Sequence, residues 1–395
     1  MTYPLLNDWS AYVPPVHFGA GRSAETAELL KAKGLQSLLV VTDPGVRSQP
    51  FFDSFIASLD QQKVKLSLFS DIRSNPTSDS VTACVEAYRA NGCDGIVAIG
   101  GGSAIDVAKA VSLTANNGIS LWEFCQLENP DLLPKVEGEN FFVPLMIIPT
   151  TAGTGSELSG SFCVITDTAT HRKRVAFHTE HFPFAIIDDP QLLTGLPANL
   201  TAWTGMDALT HALEAYAAPS YNPLCDGIAL EAIRLCEQWL EPSFKDGHNA
   251  EARAHMMSAS SIAAVAFSSK GLGAVHSMAH AVGALFDTHH GLANAVLLPY
   301  VLEHNKGAIE EKLTNVARLL DLEERSADGV IAWLLQLRKS LSIPHTLAEL
   351  GIERSALAEI AQASFQDAEH QTNPVAMTEA DFMAIAERAF DGYVC

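Results

Sequence analysis

Residues 95–110 read GIVAIGGGSAIDVAKA. The run from Gly95 to Ile99 is a buried strand, the glycines at 100 to 102 break it, and Ser103 to Ala115 resumes with a helical period. Strand, glycine turn and helix in that order are the repeating piece of a parallel α/β sheet. In such a sheet ligands bind at the carboxyl ends of the strands, and the free N–H groups of a helix start point at an anion. Three consecutive glycines exceed what a tight turn needs, and they let backbone N–H groups approach phosphate oxygens without a Cβ in the way. The spacing is not GxGxxG, so this loop alone does not imply a standard dinucleotide fold.

Outward from this stretch the same alternation continues. Ser37 to Thr42 and Val64 to Phe69 read as strands, Pro50 to Leu59 and Ser78 to Ala90 as helices, and Pro144 to Ile148 as a further buried strand. That strand runs into the polar turn Thr150-Thr151-Ala152-Gly153-Thr154-Gly155-Ser156, whose hydroxyls and amides suit a nucleotide or simply a turn. Asp43 ends the first strand, where a carboxylate accepts from an adenosine ribose and repels a 2′-phosphate, favouring NAD; the bland alternative is a turn-forming Asp before Pro44. After Ile187, Asp188, Asp189 and Pro190 strands give way to Ala- and Leu-rich helical segments near 197–217, 223–241, 250–268, 272–286 and 291–305, with several beyond. The expectation is an α/β dinucleotide-binding domain over 1–189 and an all-α metal-binding, catalytic domain over 190–395.

The helical half carries Asp207 and His211 one turn apart, then His276 and His280 with the same spacing, then His290. Residues at i and i+4 project from one helix face. No Lys or Arg occurs between Arg174 and Arg234, or between Lys270 and Lys306. A buried carboxylate without a counter-charge is costly, and a divalent cation supplies that charge most simply. Any one of these histidines alone is more often a satisfied core residue, but the constellation points to a metal. Asp and His donors suit Fe(II) or Zn(II), and no Cys stands among them as a structural thiolate site would require.

The net charge of −21 excludes nucleic acid and anionic membrane as partners, since a binder of either must neutralise dense negative charge. One local cationic pocket is still compatible with a pyrophosphate. The cluster His171-Arg172-Lys173-Arg174 is the candidate, or else a solvated turn after the strand Phe162 to Thr166. Seven Cys at irregular spacing and without a CxxC pair fit reduced thiols of a cytoplasmic protein. Met1 to Pro15 lacks the pattern of a signal peptide, and no run of about 20 apolar residues spans a bilayer. At 395 residues the chain exceeds a single core, which stops growing at roughly 250 to 300 residues.

The motifs GGGSAIDVAKA (100–110), PTTAGTGSE (149–157), GMDALTHALEAY (205–216) and the stretch from Gly271 to Ala295 occur in an order that resembles the iron-containing, or group III, alcohol dehydrogenases. The resemblance runs from Phe18-Gly19-Ala20-Gly21 through Leu297-Leu298-Pro299. It implies a dehydroquinate synthase-like fold, with Asp207, His211, His276 and His290 as ligands of Fe(II), or of Zn(II). It makes His280 a catalytic or proton-relay residue. It puts Asp43, Asn75, Gly101, Gly102, Ser103, Asp106, Thr150, Thr151 and Lys173 at an NAD cofactor. The activity it implies is hydride transfer between NAD(H) and a small primary alcohol or aldehyde, by a homodimer or higher homo-oligomer, with the cofactor held across an interdomain cleft. His289 stands where many members have Pro and reads as a surface residue, or else as one that binds a water behind the ligands. Phe162, with Phe267 facing it, would wall a small, fairly apolar substrate pocket. The rival readings are a related polyol dehydrogenase, a metal- and NAD-dependent lyase of the dehydroquinate synthase class, and a non-catalytic protein stabilised by metal. The lyase would need basic residues near the metal to hold an anionic substrate, and the Lys- and Arg-free stretches speak against it.

Overall fold

The computed structural model describes residues 13–61, 64–127 and 129–394. The readings that rest on the first twelve residues and on Cys395 fall outside that range. The described residues divide into two compact units: 13–151 with Ser156–Leu196, and Ala152–Gly155 with 197–394.

The first unit is the α/β one. Its elements are β1 (Val16–Phe18), α1 (Thr26–Lys33), β2 (Ser37–Val41), the short α2 (Pro44–Arg47), α3 (Pro50–Gln61), β3 (Lys65–Phe69), α4 (Ser78–Ala90), β4 (Gly95–Gly100), α5 (Gly102–Thr114), β5 (Leu145–Pro149), β6 (Cys163–Asp167), β7 (Arg172–Ala176) and β8 (Ala185–Asp188). Six strands pair in the order β1-β8-β5-β4-β2-β3, every pair parallel. Every residue of β4 and β5 is buried, which is why these strands read as unbroken apolar runs rather than alternating ones. Sequence order reverses between β2 and β4, and the crevice at such a switch point is where open α/β sheets bind ligands.

Local chemistry sets the ends of these elements. Asp43 caps α2 by accepting from Val46 N at 2.9 Å, and Thr77 caps α4. The strands β6 and β7 form a separate antiparallel hairpin, so Arg172, Lys173 and Arg174 lie on a strand and not in a turn. Residues 190–196 stay with this unit because Asp189 accepts from Gln191 N while also binding Gly21 N and Ser23 N at 2.9 and 3.0 Å.

The second unit is helical: α6 (Ala198–Ala217), α7 (Pro223–Lys245), α8 (Ala250–Lys270), α9 (Ala274–Phe286), α10 (His290–Leu319), α11 (Ala327–Ser340), α12 (Leu357–Phe365) and α13 (Glu379–Asp391). Asn222 and Asn249 cap α7 and α8, and Thr378 with Asp381 forms a capping box on α13. Helix α6 is buried almost all round, packed by α7, α8 and α10. Small residues permit that closeness: a Cβ at Gly291 would run into the Trp203 carbonyl, so α10 starts directly against α6. No helix among the described residues is long and apolar enough to cross a membrane.

Candidate active site

At the carboxyl ends of β2, β4 and β5 the register aligns Val41 with Ala98 and Gly100 with Pro149, bringing Asp43, the glycine turn and Thr150-Thr151 together. A Cβ at Gly100 would lie 3.0 Å from Asp43 Oδ2 and 2.7 Å from Ala104 Cβ. One at Gly101 would lie 3.3 Å from Thr151 Cγ2. Glycine is therefore what lets the turn nestle between the two neighbouring strand ends. Gly101 is the N-cap of α5, and no side chain caps that helix start. Ser103 Oγ donates to the Ser74 carbonyl at 2.6 Å, fixing the loop that carries the buried Asn75. Thr166 N donates to Pro76 O at 2.8 Å, and Lys173 pairs opposite Thr166, so the same loop abuts the basic hairpin.

Two observations test this end against a dinucleotide. The hydroxyl of Thr150 is buried with no partner, and no side chain caps the start of α5, a position that favours an anion. Both fit a cofactor that brings acceptor oxygens. Asp106 is placed differently from its neighbours in the sequence reading. Its oxygens accept from Ser156 Oγ at 2.7 Å and Val164 N at 3.0 Å, tying α5 to the turn after β5 and to β6. Buried Lys109 on the same helix donates to the Ser156 and Phe162 carbonyls and to Ser159 Oγ. Of the basic cluster, Arg174 lies over the Trp122 ring, 4.6 Å from its centroid. Phe162 stacks on Phe177 in the α/β unit.

In the helical unit Asp207, His211, His276 and His290 each offer one donor atom, all within 4.8 Å of one another. Asp207 Oδ1 lies 3.9, 3.8 and 3.7 Å from Nε2 of His211, His276 and His290. Helix α6 supplies the first two from one face, the start of α9 supplies His276, and the start of α10 supplies His290. Hydrogen bonding fixes the tautomers. His211 Nδ1 faces the Gly153 carbonyl at 3.2 Å, and His276 Nδ1 faces Glu214 Oε2 at 2.5 Å. A carbonyl or carboxylate only accepts, so both Nδ1 atoms carry the proton and both Nε2 lone pairs turn to the cluster. Burial pushes the His211 imidazole down to about 4. For His276 burial acts the same way but is outweighed by the Glu214 and Asp207 carboxylates, which raise it. A carboxylate and several converging lone pairs, three of the four residues buried and His290 partly so, are the donor set of a divalent cation.

Around this cluster stand residues that spacing alone did not single out. Glu214 continues the Asp207–His211 face of α6 and also accepts from Val275 N at 2.8 Å, holding the first turn of α9. Its signal was the stripe at 207, 211 and 214. Asp367 comes from the polar C-terminal region, where no motif stood out, and its Oδ2 lies 2.9 Å from His280 Nδ1. Ser277 Oγ donates to its other oxygen at 3.0 Å. Burial would raise Asp367, yet His280 holds it below the ordinary carboxylate range. Burial and then Asp367 push its neighbour Glu369 up to about 7. The His280 and His290 rings stack at 5.3 Å, which places His280 beside the cluster with Nε2 left to act. Phe267 lies against His211 at 4.6 Å, and half-buried His289 packs on Trp203 at 5.1 Å rather than standing free at the surface.

Comparison with known proteins agrees with this geometry. The model for "Iron-containing alcohol dehydrogenase" matches residues 14–190, and that for "Fe-containing alcohol dehydrogenase family, C-terminal" matches 201–390. Alcohol dehydrogenase 4 of Schizosaccharomyces pombe is 35% identical over 381 residues, covering 96% of this chain and 88% of its own. The crystal structure of a 1,3-propanediol oxidoreductase superposes with a TM-score of 0.91 at 34% identity, covering 97% of this chain and all of its own. Sulfoacetaldehyde reductase from Bifidobacterium kashiwanohense in complex with NAD+ gives 0.85 at 28% identity, covering 98% and 99%. Fold and site thus define an oxidoreductase of the alcohol dehydrogenase class. The chain belongs to the iron-containing alcohol dehydrogenase family.

Proposed function

We propose that this enzyme moves hydride between NAD(H) and a small primary alcohol or aldehyde, using Fe(II), or Zn(II), held by Asp207, His211, His276 and His290. The observation that carries the reading is the convergence of these four donors, with two histidine tautomers already fixed by Gly153 and Glu214. When bound, the cation supplies Lewis acidity that eases loss of a hydroxyl proton, and the nicotinamide supplies the hydride acceptor. His280 is the base in this scheme. Its Nδ1–H is committed to Asp367, so Nε2 takes the proton, and the Asp367 carboxylate stabilises the imidazolium that results. Asp43, Asn75, Gly101, Gly102, Ser103, Thr150, Thr151 and Lys173 bind the dinucleotide on this reading. Asp106 serves that end by bracing α5 against Ser156 and Val164.

Preference for NAD over NADP rests on Asp43, whose carboxylate is fixed by Val46 N where a 2′-phosphate would crowd it. A small, fairly apolar substrate is supported by Phe267 against His211. Function within a reducing cytoplasm, as a homo-oligomer, belongs to the same reading; the six described cysteines are all unpaired. The deciding experiment is a panel of alcohols and aldehydes with NAD(H) and NADP(H), on protein reconstituted anaerobically with Fe(II) or Zn(II). We expect a nicotinamide absorbance change with short primary alcohols and NAD. No signal from loaded protein with any pair would overturn the proposal.

A further inference from the structure

Asn294 sits one turn after His290 on α10 and is fully buried. Its Nδ2 lies 2.6 Å from Asp207 Oδ1 and 3.2 Å from Nε2 of both His276 and His290. One amide nitrogen thus faces three of the four clustered residues. It has two hydrogens to offer them, while its own carbonyl oxygen is buried without a partner. The opposite orientation would set a carbonyl oxygen against the Asp207 carboxylate, two acceptors at hydrogen-bond distance, so chemistry selects the orientation seen. Proton placement sharpens the point. His276 Nδ1–H donates a hydrogen bond to Glu214, leaving Nε2 a lone pair that accepts from the amide.

We infer that Asn294 is a positioning residue of the metal centre, holding Asp207 in its ligating rotamer and occupying histidine lone pairs that the cation takes over. This rests on the metal reading above. When a cation takes the Nε2 lone pairs, the amide loses those two contacts and keeps the one to Asp207. The residue therefore does two opposite things: it preorganises the carboxylate, and it competes weakly for the imidazoles. Preorganisation dominates, because the hydrogen bond to the charged carboxylate is the shorter and stronger of the contacts.

The test uses the full-length protein stripped of metal. Zn(II) affinity is measured by competition with a chromophoric chelator, and Co(II) is titrated while its visible absorption reports coordination geometry. Asn294→Leu keeps the buried volume and removes the amide; Asn294→Ala serves as the second variant. We expect folded variants, checked by circular dichroism, to bind Zn(II) about 10 to 100 times more weakly and to show an altered Co(II) spectrum. A folded variant with wild-type affinity and spectrum overturns the inference. A measurement on wild type needs no variant: crystal structures without and with Zn(II). The amide should remain hydrogen-bonded to Asp207 in the loaded form and part from His276 Nε2; an amide turned away from Asp207 overturns the inference. Wild type that binds neither ion overturns the metal reading and this inference together, whereas wild type and variant binding alike overturn this inference alone.

Discussion

Glu214 and Asp367 do the same thing to different histidines: each anion holds an Nδ1–H and so turns an Nε2 toward the same small space. They predict separable defects. Glu214→Ala should lower metal affinity by about 10- to 100-fold, read as metal content after dialysis against a weak chelator. Asp367→Asn should leave metal content unchanged and slow turnover by about 100-fold or more, because His280 loses the anion that supports its protonated form. His276→Ala should abolish both metal retention and turnover; full activity in metal-depleted variant protein would contradict the ligand set. Far from the cluster, His181 is buried against Ser112, and burial pushes it down to about 3 from 6.5. The unfolded chain protonates first, so the folded state's advantage is complete above pH 6.5 and declines as pH falls toward 3. Thermal melts of metal-free protein between pH 7 and 4 should show a gentler decline for His181→Gln than for wild type; parallel curves would count against this.

Elements translate those side chains into positions. The start of α10 meets α6 where residue 291 has no Cβ, which sets His290 beside Asp207. Gly291→Ala should force the two helices apart, costing about 1–3 kcal/mol in a denaturant titration and weakening metal retention as well. Much of this was legible in the sequence. Helical period marked α6 to α10, and the i, i+4 pairs at 207/211 and 276/280 faced inward because both lie on buried helix faces. The glycine turn followed its strand as read. Less legible were β1 and β8, three and four residues long, too short to show a period, which become strands only because neighbours accept them in register. The basic cluster read as a cationic pocket or a turn, and only pairing with β6 puts Arg172 to Arg174 on a strand while His171 stays in the turn. Asp367 carried no local signal, since what matters about it is a contact made across nearly ninety positions of sequence.

For the molecule as a whole, all four clustered donors lie in the helical unit, so an ion bound there stabilises the native form of that unit. Linkage amounts to about 4 kcal/mol when free metal is a thousandfold above its dissociation constant. Calorimetry of chelated protein should therefore show a lowered transition and, if the units uncouple, two transitions where the loaded enzyme shows one; identical traces would argue that no ion is bound. The tetrapeptide Ala152–Gly155 has a consequence of another kind. It is made before residue 196, yet it belongs with helices that come after. Gly153 supplies the carbonyl that orients His211, and a Cβ at Gly155 would strike Ala264. On the ribosome the sheet can pair as soon as β8 emerges, but these four residues must wait for α6 and α8, a delay on the order of ten seconds at ordinary elongation rates. Vectorial synthesis thus leaves one loop exposed to chaperones and proteases until the second half arrives, and a gene cut at residue 196 would yield a helical fragment lacking a strut of its own metal site.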